Sequence, residues 1–367
     1  MSNVPLVRLG DICWPKQHPT IPMSEFTVDG YPVFGANGQV GFYKSFTHAV
    51  ETIAITCRGA TCGTVNIAPA RSYITGNAMA LDDLDSSRAD LHFLARALRF
   101  RGVSDVISGS AQPQITRGPL LEVKVPLPSL PEQRRIAAIL DEADALRAKR
   151  RAALAQLDEM ARAIFVEMFG DPVSNTKGLP LVRLDRLGKL DRGVSRHRPR
   201  NAPDLLGGPY PFVQTGDVAN CDGYIRTYQS TYSETGLRQS KMWPAGTLCI
   251  TIAANIARVG ILTFDACFPD SVVGFVGPDP ATTEYVRVWF TFVQDEIESS
   301  APESAQKNIN LAILRNYPVP LSPQELQRSF AERLKVLEEA RSSSKLAIAT
   351  LDSLFASLQH RAFRGEL

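Results

Sequence analysis

The chain has few of the features that mark secreted, membrane-spanning or metal-binding proteins. Its six cysteines form no C-x-x-C pair, and its five histidines are scattered along the sequence. A zinc site needs several close ligands, so we predict buried thiols in a reducing cytosol and no metal site. No apolar run approaches the roughly 18 residues of a membrane span, and the first residues lack a basic start followed by an apolar core. A cytoplasmic protein without membrane contact is expected.

Three catalytic signatures are missing or incomplete. No G-x-x-x-x-G-K-[ST] loop occurs, which excludes ATP-driven chemistry of the P-loop type in this chain. An adenine methyltransferase needs an Asp/Asn-Pro-Pro-Tyr/Phe string, and the nearest match, Asn316-Tyr317-Pro318, lacks the second proline. The string from Glu122 to Lys124 has the Glu-x-Lys spacing of a nuclease site, but no upstream Pro-Asp pair is placed to share the metal. The chain is expected to be non-catalytic and to bind no cofactor.

The chain also lacks a large excess of positive or negative charge. The chain carries 40 Lys and Arg against 38 Asp and Glu, and its formal net charge is +2. A nucleic-acid surface would therefore have to come from local clustering. One cluster lies between Arg183 and Arg200, where seven basic residues accompany two aspartates. A solvated loop and a DNA-contacting loop explain this cluster about equally well.

The most informative feature that is present is an internal repeat of about 194 residues. Both Ser129–Phe169 and Ser322–Phe363 open with Ser-x-x-Glu, the capping box that starts many helices. In both segments apolar residues recur at alternating spacings of four and three. That period predicts two long helices that pair as a coiled coil. The predicted seam residues are Ile136, Leu140, Leu154, Leu157, Ile164, Phe330, Leu334, Leu337, Leu351 and Leu358.

The apolar spacing is interrupted at the same place in both helices. Arg147 and Arg150 stand there in the first helix, and Arg341 and Ser344 in the second. Unpaired buried charges are costly, so neighbouring carboxylates or water are expected to compensate the arginines. Two interpretations stay open: the polar residues fix an antiparallel register, or they form a waist at which the helices bend.

A region without helical periodicity precedes each long helix, so the order is module, helix, module, helix. Short β-type runs with Gly, Pro and Asn between them dominate both modules. Gly30–Phe46 has Asn-Gly at its centre and is a predicted hairpin, whereas Asp90–Phe100 and Thr282–Ile297 are predicted helices. The fold class is α+β. Two modules of short, mostly antiparallel strands and short helices are joined by two long helices, which pack as an antiparallel coiled coil with an internal pseudo-two-fold repeat.

Helices of about 40 residues, at about 1.5 Å per residue, would be about 60 Å long. About 18 base pairs of duplex have that axial length, which is ample to hold two modules one to two helical turns of DNA apart.

The predicted domain boundaries follow from the alternation of modules and helices. The predicted segments are 1–128 for the first module, 129–170 for the central helix, 171–321 for the second module, and 322–367 for the distal helix and C-terminal tail.

Several strings carry a resemblance to a known family. They are YPVFGANGQVGFY in the first module, YPFVQTGDV and GTLCITIAANIARVGI in the second, VPLPSLPEQRRIAAIL into the first long helix, and a final AFRGEL. With the two-copy layout, they make the whole chain resemble the specificity subunit of type I restriction-modification systems. The resemblance implies that each module is a target-recognition domain reading half of a split, asymmetric sequence in double-stranded DNA. It also implies that the helices act as a ruler between the halves.

The resemblance implies partners as well. Two methyltransferase subunits would methylate adenine N6 with S-adenosylmethionine after flipping the base. Restriction subunits that translocate DNA would use ATP and Mg²⁺, and none of these cofactors is expected on this chain. From the residues alone, a protein-interaction scaffold with dimerising helices and no DNA specificity is the alternative. Salt-dependent retention on heparin and a sequence-selective mobility shift would separate the two.

The candidate DNA contacts are cations and polar side chains of the kinds that bind phosphates and base edges. For the amides, structural capping explains their presence at least as well. The candidates in the first module are Lys44, Arg58, Arg71, Gln112, Gln114 and Arg117. Those in the second module are Arg196, His197, Arg198, Arg200, Thr215, Arg238, Lys241, Arg258, Gln306, Lys307 and Asn308.

Overall fold

The computed structural model describes residues 4–36, 38–109, 112–197, 199, 202–253, 255–299 and 308–367. The chain divides into two compact units, of which unit 1 comprises Met1–Arg151 and Leu346–Leu367 and unit 2 comprises Ala152–Lys345. Each long helix contributes one part to each unit. Within the described ranges, no helix combines the length and the apolar character that a bilayer crossing requires.

Unit 1 is made of short strands, two short helices and parts of both long helices. Its strands are β1 (Leu6–Arg8), β2 (Trp14–Lys16), β3 (Tyr31–Gly35), β4 (Gly38–Tyr43), β5 (Thr52–Thr56), β6 (Val65–Ala68), β7 (Tyr73–Ile74), β8 (Ala78–Asp82), β9 (Ile107–Ser108), β10 (Gln114–Ile115) and β11 (Lys124–Pro126). Its helices are α1 (Leu91–Arg101), α2 (Arg117–Leu121) and the first part of α3 (Leu130–Phe169).

The main sheet of unit 1 has the order β2-β8-β5-β6 with antiparallel neighbours. Every residue of β5 is buried, because both faces of this strand are covered. Ile53 and Ile55 share a core cluster with Leu94 of α1, whereas Ala54 packs near Phe34 of the second sheet. That second sheet has the order β4-β3-β7 and contains the predicted hairpin, β3 with β4.

Unit 2 contains the remaining elements. Its strands are β12 (Leu181–Arg183), β13 (Lys189–Arg192), β14 (Leu206–Phe212), β15 (Tyr224–Ile225), β16 (Ser230–Tyr232), β17 (Met242–Trp243), β18 (Leu248–Thr251), β19 (Val259–Leu262), β20 (Ala266–Cys267), β21 (Val272–Val276) and β22 (Pro318–Pro320). Its helices are α4 (Leu184–Leu187), α5 (Thr215–Ala219), α6 (Glu234–Arg238), α7 (Pro280–Ser299), α8 (Leu311–Asn316), the second part of α3 and the first part of α9 (Gln324–Arg364), whose second part belongs to unit 1.

The sheets of unit 2 repeat the plan of unit 1. The main sheet has the order β13-β21-β18-β19-β15, whose first four strands correspond to β2-β8-β5-β6. In the second sheet, β16-β14-β20-β17, the parallel pair of β14 with β20 corresponds to that of β3 with β7. Most other neighbours are antiparallel. The predicted α+β fold with mostly antiparallel strands is confirmed.

The junctions between modules and long helices are also repeated. Strand β1 pairs with β11 and β12 pairs with β22, with Leu6 opposite Pro126 and Leu181 opposite Pro320. The strands β11 and β22 stand directly before the long helices α3 and α9. The same strand pairing therefore precedes both long helices.

Near the start of each long helix, a buried glutamine side chain donates a hydrogen bond to a backbone carbonyl that precedes the helix. The Nε2 of Gln133 donates to the Pro128 carbonyl at 2.8 Å, and the Nε2 of Gln327 donates to the Ser322 carbonyl at 2.9 Å. The predicted capping box is wrong for the second helix, because α9 begins at Gln324, two residues after Ser322. In the first helix, the acid of the predicted box, Glu132, accepts from a guanidinium one turn on.

The long helices pair in antiparallel fashion inside each unit. In unit 1, Ile136 and Leu140 near the start of α3 cluster with Phe355 near the end of α9. In unit 2, Leu157 and other residues late in α3 cluster with Phe330 early in α9. The predicted pairing is confirmed, and most predicted seam residues lie in these two clusters. The exceptions are Leu154 and Leu351, which are half-buried outside them.

Carboxylates compensate two of the arginines that interrupt the seam. The guanidinium of Arg147 donates to Asp352 at 2.6 Å and to Asp144 at 2.7 Å within unit 1. In unit 2, Arg341 donates to Glu338 at 3.1 Å. Compensation by carboxylates is therefore observed, although Asp352 on the opposite helix was not foreseen. The choice between register and waist stays a prediction.

The six cysteines are free thiols. Burial raises the pKa of the Cys13 thiol to about 12 and that of Cys249 well above its ordinary value. These thiols therefore stay protonated at neutral pH. The prediction of buried thiols holds for Cys13, Cys57, Cys249 and Cys267, whereas Cys62 and Cys221 are half-buried.

Candidate nucleic-acid interface

In unit 1, the turn after β5 lies beside the segment that carries two of the predicted amides. Arg58 and Gln114 form an isolated antiparallel bridge, and the Ile115 amide donates to the Cys57 carbonyl at 3.0 Å. The side chains of Arg58, Gln112 and Gln114 are exposed. The fold thus brings together candidates that are distant in sequence. We name Arg58, Gln112 and Gln114 the first edge.

The tip of the β3–β4 hairpin is bonded to the same turn. The Thr56 hydroxyl donates to the Ala36 carbonyl at 3.1 Å, and the Thr61 hydroxyl donates to the same oxygen. These bonds anchor the backbone that presents the first edge. Another candidate, Arg117, begins α2 three residues after the first edge and is exposed, with its guanidinium 5.1 Å from the ring centre of Trp14.

Two other cations of unit 1 lie at the opposite end of the hairpin. The Arg71 guanidinium is 5.7 Å from the Tyr31 ring centre and 5.8 Å from that of Phe46. Lys44 directly follows Tyr43, which is the β4 partner of Tyr31. Arg71 also has a φ of 61°, a strained conformation that is found disproportionately at functional sites. The unit 1 candidates therefore form two groups rather than one surface.

The equivalent place in unit 2 is built in the same way. Asn308 forms an isolated antiparallel bridge with Ala253, just after β18, and the Ile309 amide donates to the Ile252 carbonyl at 3.0 Å. The Asn308 side chain is exposed. An amide-bearing segment therefore lies beside the turn after the corresponding strand in both units.

The predicted basic cluster collects around the end of α6. The Oε1 of Gln239 accepts from the backbone amide of Arg196 at 2.6 Å and from that of His197 at 3.0 Å. Gln239 directly follows Arg238, the last residue of α6, and Lys241 comes two positions later. All four candidates in this group are exposed. We name Arg196, His197, Arg238 and Lys241 the basic edge.

The remaining candidates of unit 2 are not bonded to the basic edge in the described part of the chain. Thr215 is the first residue of α5. Arg258 is exposed and borders a cavity of about 240 Å³ that Cys221 and Arg287 also line. Four candidates lie outside the described residues: Arg198, Arg200, Gln306 and Lys307.

One polar cluster was not predicted. His18, His48 and Asp82 meet in unit 1, with each imidazole bonded to one carboxylate oxygen. Burial alone would raise the pKa of Asp82, but hydrogen bonds and charge from His48 and His18 hold that pKa below its ordinary value. The histidines are scattered along the sequence, but strand pairing brings His18 and His48 together in the fold. No sequence spacing signals the cluster.

Comparison with known proteins gives matches across the chain. The sequence model of the type I restriction modification DNA specificity domain matches residues 1–156 and 182–349. The EcoprrI specificity subunit of a type I restriction enzyme from Escherichia coli is 36% identical over 116 residues, which is 32% of this chain and 28% of that protein. The putative MjaX specificity subunit from Methanocaldococcus jannaschii is 22% identical over 264 residues, which is 68% of this chain and 61% of that protein. These matches span less than two thirds of each relative.

A solved structure shares the fold. The type I restriction-modification system S subunit from M. genitalium superimposes with a TM-score of 0.67 at 17% identity, covering 99% of this chain and 97% of that one. The two segments matched by the family model contain the two repeats that the sheets display. Because those segments make up most of the residues, this chain belongs to the family of type I restriction modification DNA specificity domains.

Proposed function

We propose that this chain is the DNA-reading subunit of a type I restriction-modification complex. It binds double-stranded DNA at an asymmetric target in two halves, one half for each unit. The observation that carries the proposal is the repeated placement of exposed polar side chains, Arg58 with Gln114 in unit 1 and Asn308 in unit 2, beside corresponding strands. Arginines suit phosphates and guanine edges, and amides suit adenine edges. Because the side chains differ between the units, the half-sites differ.

The basic edge supplies a second group of contacts in unit 2. A cation that neutralises a phosphate releases counterions and makes affinity depend on salt. Arg196 and Arg238 can act in this way, because both side chains are exposed and Gln239 holds the backbone of Arg196 in place. Phosphate contacts of this kind set the register of a unit on the duplex but do not read bases.

The chain contributes recognition and assembly rather than catalysis. Two methyltransferase subunits bring S-adenosylmethionine, and restriction subunits bring ATP and Mg²⁺, all in the cytoplasm. The long helices carry single exposed apolar side chains that a partner could cover, with Leu346 in unit 1 71% exposed and Val336 in unit 2 68% exposed. A two-fold internal repeat suits two copies of one partner.

Exchange of one unit's recognition module tests the proposal. In a strain that supplies the partner subunits, residues 1–125 are replaced by the corresponding module of another specificity subunit, and methylated sites are mapped by sequencing. One half of the methylated motif should change while the other stays. A simultaneous change in both halves would show that the units do not read independently.

The competing function is a protein scaffold without DNA specificity. It predicts weak retention on heparin and no sequence-selective mobility shift, even with the methyltransferase subunit present. The proposed reader should shift a duplex carrying the mapped motif and release it as salt rises. A matched duplex with one half scrambled is the control, and equal affinity for both duplexes would favour the scaffold.

A further inference from the structure

A cluster in unit 1 has the composition of a metal site. The Nε2 of His18 lies 3.0 Å from Asp82 Oδ2, and the Nε2 of His48 lies 2.8 Å from Asp82 Oδ1. One ligand atom from each residue lies within 4.8 Å of the others. In the described part of the chain, no other three His, Cys, Asp or Glu side chains approach one another in this way.

We propose that His18, His48 and Asp82 bind one divalent transition-metal ion, with Zn²⁺ the best match. Two imidazoles and one carboxylate form a three-ligand set to which zinc adds a water molecule. Zinc bonds of about 2.0–2.2 Å place tetrahedral ligand atoms about 3.4 Å apart. The imidazole–carboxylate distances of 2.8 and 3.0 Å would therefore lengthen by roughly half an ångström. The ligand atoms lie within 4.8 Å of one another, so side-chain rotation would also have to bring the widest of these separations down to about 3.4 Å.

The surroundings of His48 orient it for coordination. Its Nδ1 lies 2.7 Å from the Thr47 hydroxyl oxygen, which also accepts the Ile74 amide at 3.0 Å. When this oxygen accepts the Nδ1 proton, Nε2 presents its lone pair to a metal. Histidine ligands almost always have such a partner on their second nitrogen. The His18 ring lies edge-on to that of His48, with ring centres 4.7 Å apart.

The electrostatic setting favours a cation. The side chains of His18, His48 and Asp82 are 14%, 10% and 16% exposed, so their interactions are only partly screened by water. A cavity of about 670 Å³ borders His48 and Asp82 and can supply the water ligand. Acidic side chains outnumber the single arginine, Arg134, among its lining residues: Glu51, Asp82, Asp83 and Asp90.

The site would connect the two sheets of unit 1. Asp82 ends β8 of the main sheet, whereas His48 forms a bridge with Ser72, next to β7 of the second sheet. Among the described residues of unit 2 no such set occurs, and Val276 takes the position of Asp82 at the end of the corresponding strand. A bound ion would therefore stabilise unit 1 alone. Metal binding of this kind adds directly to folding stability.

Zinc binding is tested on the full, tag-free chain after removal of metals with a chelator. Competition with a chromogenic chelator should show one Zn²⁺ per chain, and His48→Gln or His18→Gln should weaken its affinity by more than about 100-fold. Co²⁺ in the site should show ligand-field bands without a thiolate charge-transfer band. An unaltered chain that binds no Zn²⁺, or a thiolate band from a cysteine site, would overturn the proposal.

A matched control separates this site from incidental histidine binding. The Nε2 of His92 lies 3.3 Å from Glu51, also in unit 1, and its side chain is 47% exposed. His92→Gln should leave zinc affinity unchanged. Asp82→Asn keeps the side-chain shape and should lose zinc-induced thermal stabilisation while circular dichroism stays native. If Zn²⁺ raises the Tm of Asp82→Asn as much as it raises the Tm of the unaltered chain, zinc does not bind at this site.

Discussion

Units 1 and 2 share a backbone plan but differ in the side chains that stabilise it. Both units have the same order of four strands in the main sheet, the same strand pair before each long helix and the same turn that presents polar side chains, although each of the two sheets has one more strand in unit 2. Where helices and sheet meet, unit 2 packs aromatic rings around Phe165. Unit 1 has a mainly aliphatic cluster around Ile136 at its helix pair and a polar cluster around Asp82. The same backbone plan is therefore built with different side chains, so that few positions define the scaffold and the others can vary with recognition and stability.

The largest effect is expected in the aromatic cluster of unit 2. The ring of Phe165 is fully buried and lies 4.9 Å from Phe169, 5.1 Å from Tyr285 and 5.5 Å from Phe330. Phe165→Ala should lower the free energy of unfolding by about 3–5 kcal/mol. Urea titration followed by tryptophan fluorescence measures this. The neighbouring exposed change Val166→Ala should stay within about 0.5 kcal/mol, and equal effects of both would contradict the packing argument.

The next largest losses of stability are expected on substitution of Gln133 and Gln327, the glutamines near the starts of the long helices. The two losses should differ. Gln133 makes three bonds, because its Oε1 accepts the Asp90 amide and its Nε2 donates to the Arg88 and Pro128 carbonyls. Gln327 donates to Ser322, and its Oε1 has no partner among the described residues. Gln133→Ala should cost about 2–3 kcal/mol and Gln327→Ala about 1 kcal/mol. Equal losses in urea titrations would show that the two starts are energetically alike.

A smaller, pH-dependent difference is expected between Asp222 and Asp352, two carboxylates that pair with basic residues of the long helices. Partial burial alone would raise the pKa of Asp222 in unit 2, but Lys345, Arg226 and Arg341 outweigh it and hold that pKa below its ordinary value. A depressed pKa stabilises the fold above the unfolded value of about 3.9. That contribution is lost as pH falls through the lower, folded pKa.

Asp222→Asn should therefore lower the urea midpoint at pH 7 and have little effect at pH 3. Asp352→Asn in unit 1 should also lower the urea midpoint at pH 7, but by less, because the Asp352 side chain is more exposed than that of Asp222, 38% against 26%, and water screens its bonds to Arg147 and Arg151. A pH-independent effect of Asp222→Asn would mean that shape rather than charge determines its role.

The smallest stability effects are expected at the DNA-facing candidates. Arg58→Ala and Asn308→Ala remove exposed side chains and should change unfolding free energy by less than about 0.5 kcal/mol. If Arg58 contacts a phosphate, its loss reduces the salt slope of DNA binding by about one. Asn308→Ala should relax one position in the other half-site by about 1–3 kcal/mol. Mobility shifts of the assembled complex at several salt concentrations measure both, and loss of the same half in both variants would contradict separate readers.

The architecture of this chain follows from local sequence patterns and from the fact that they occur twice. The hairpin of β3 and β4 follows from alternating apolar residues around a turn, and α1 and α7 follow from their apolar faces. Their bounds differ from the predicted ones by only a few residues. The capping box predicted at Ser322 failed, because α9 begins only at Gln324, two residues after that serine. The sequence did not separate Arg58 of the first edge from Arg71 and Arg117, whose guanidinium groups lie over aromatic rings.

Patterns among residues close in the chain were sufficient to predict two long antiparallel helices, two β-rich modules and the family. The reason is that helical and strand periods repeat within a few residues. The folded chain was needed to place Arg58 beside Gln114, to give Arg147 its partner Asp352, and to bring His18, His48 and Asp82 to one point. Each of these contacts joins segments whose separation carries no periodic signal. Strand pairing and helix packing decide such contacts together, so they appear only once the whole unit has folded.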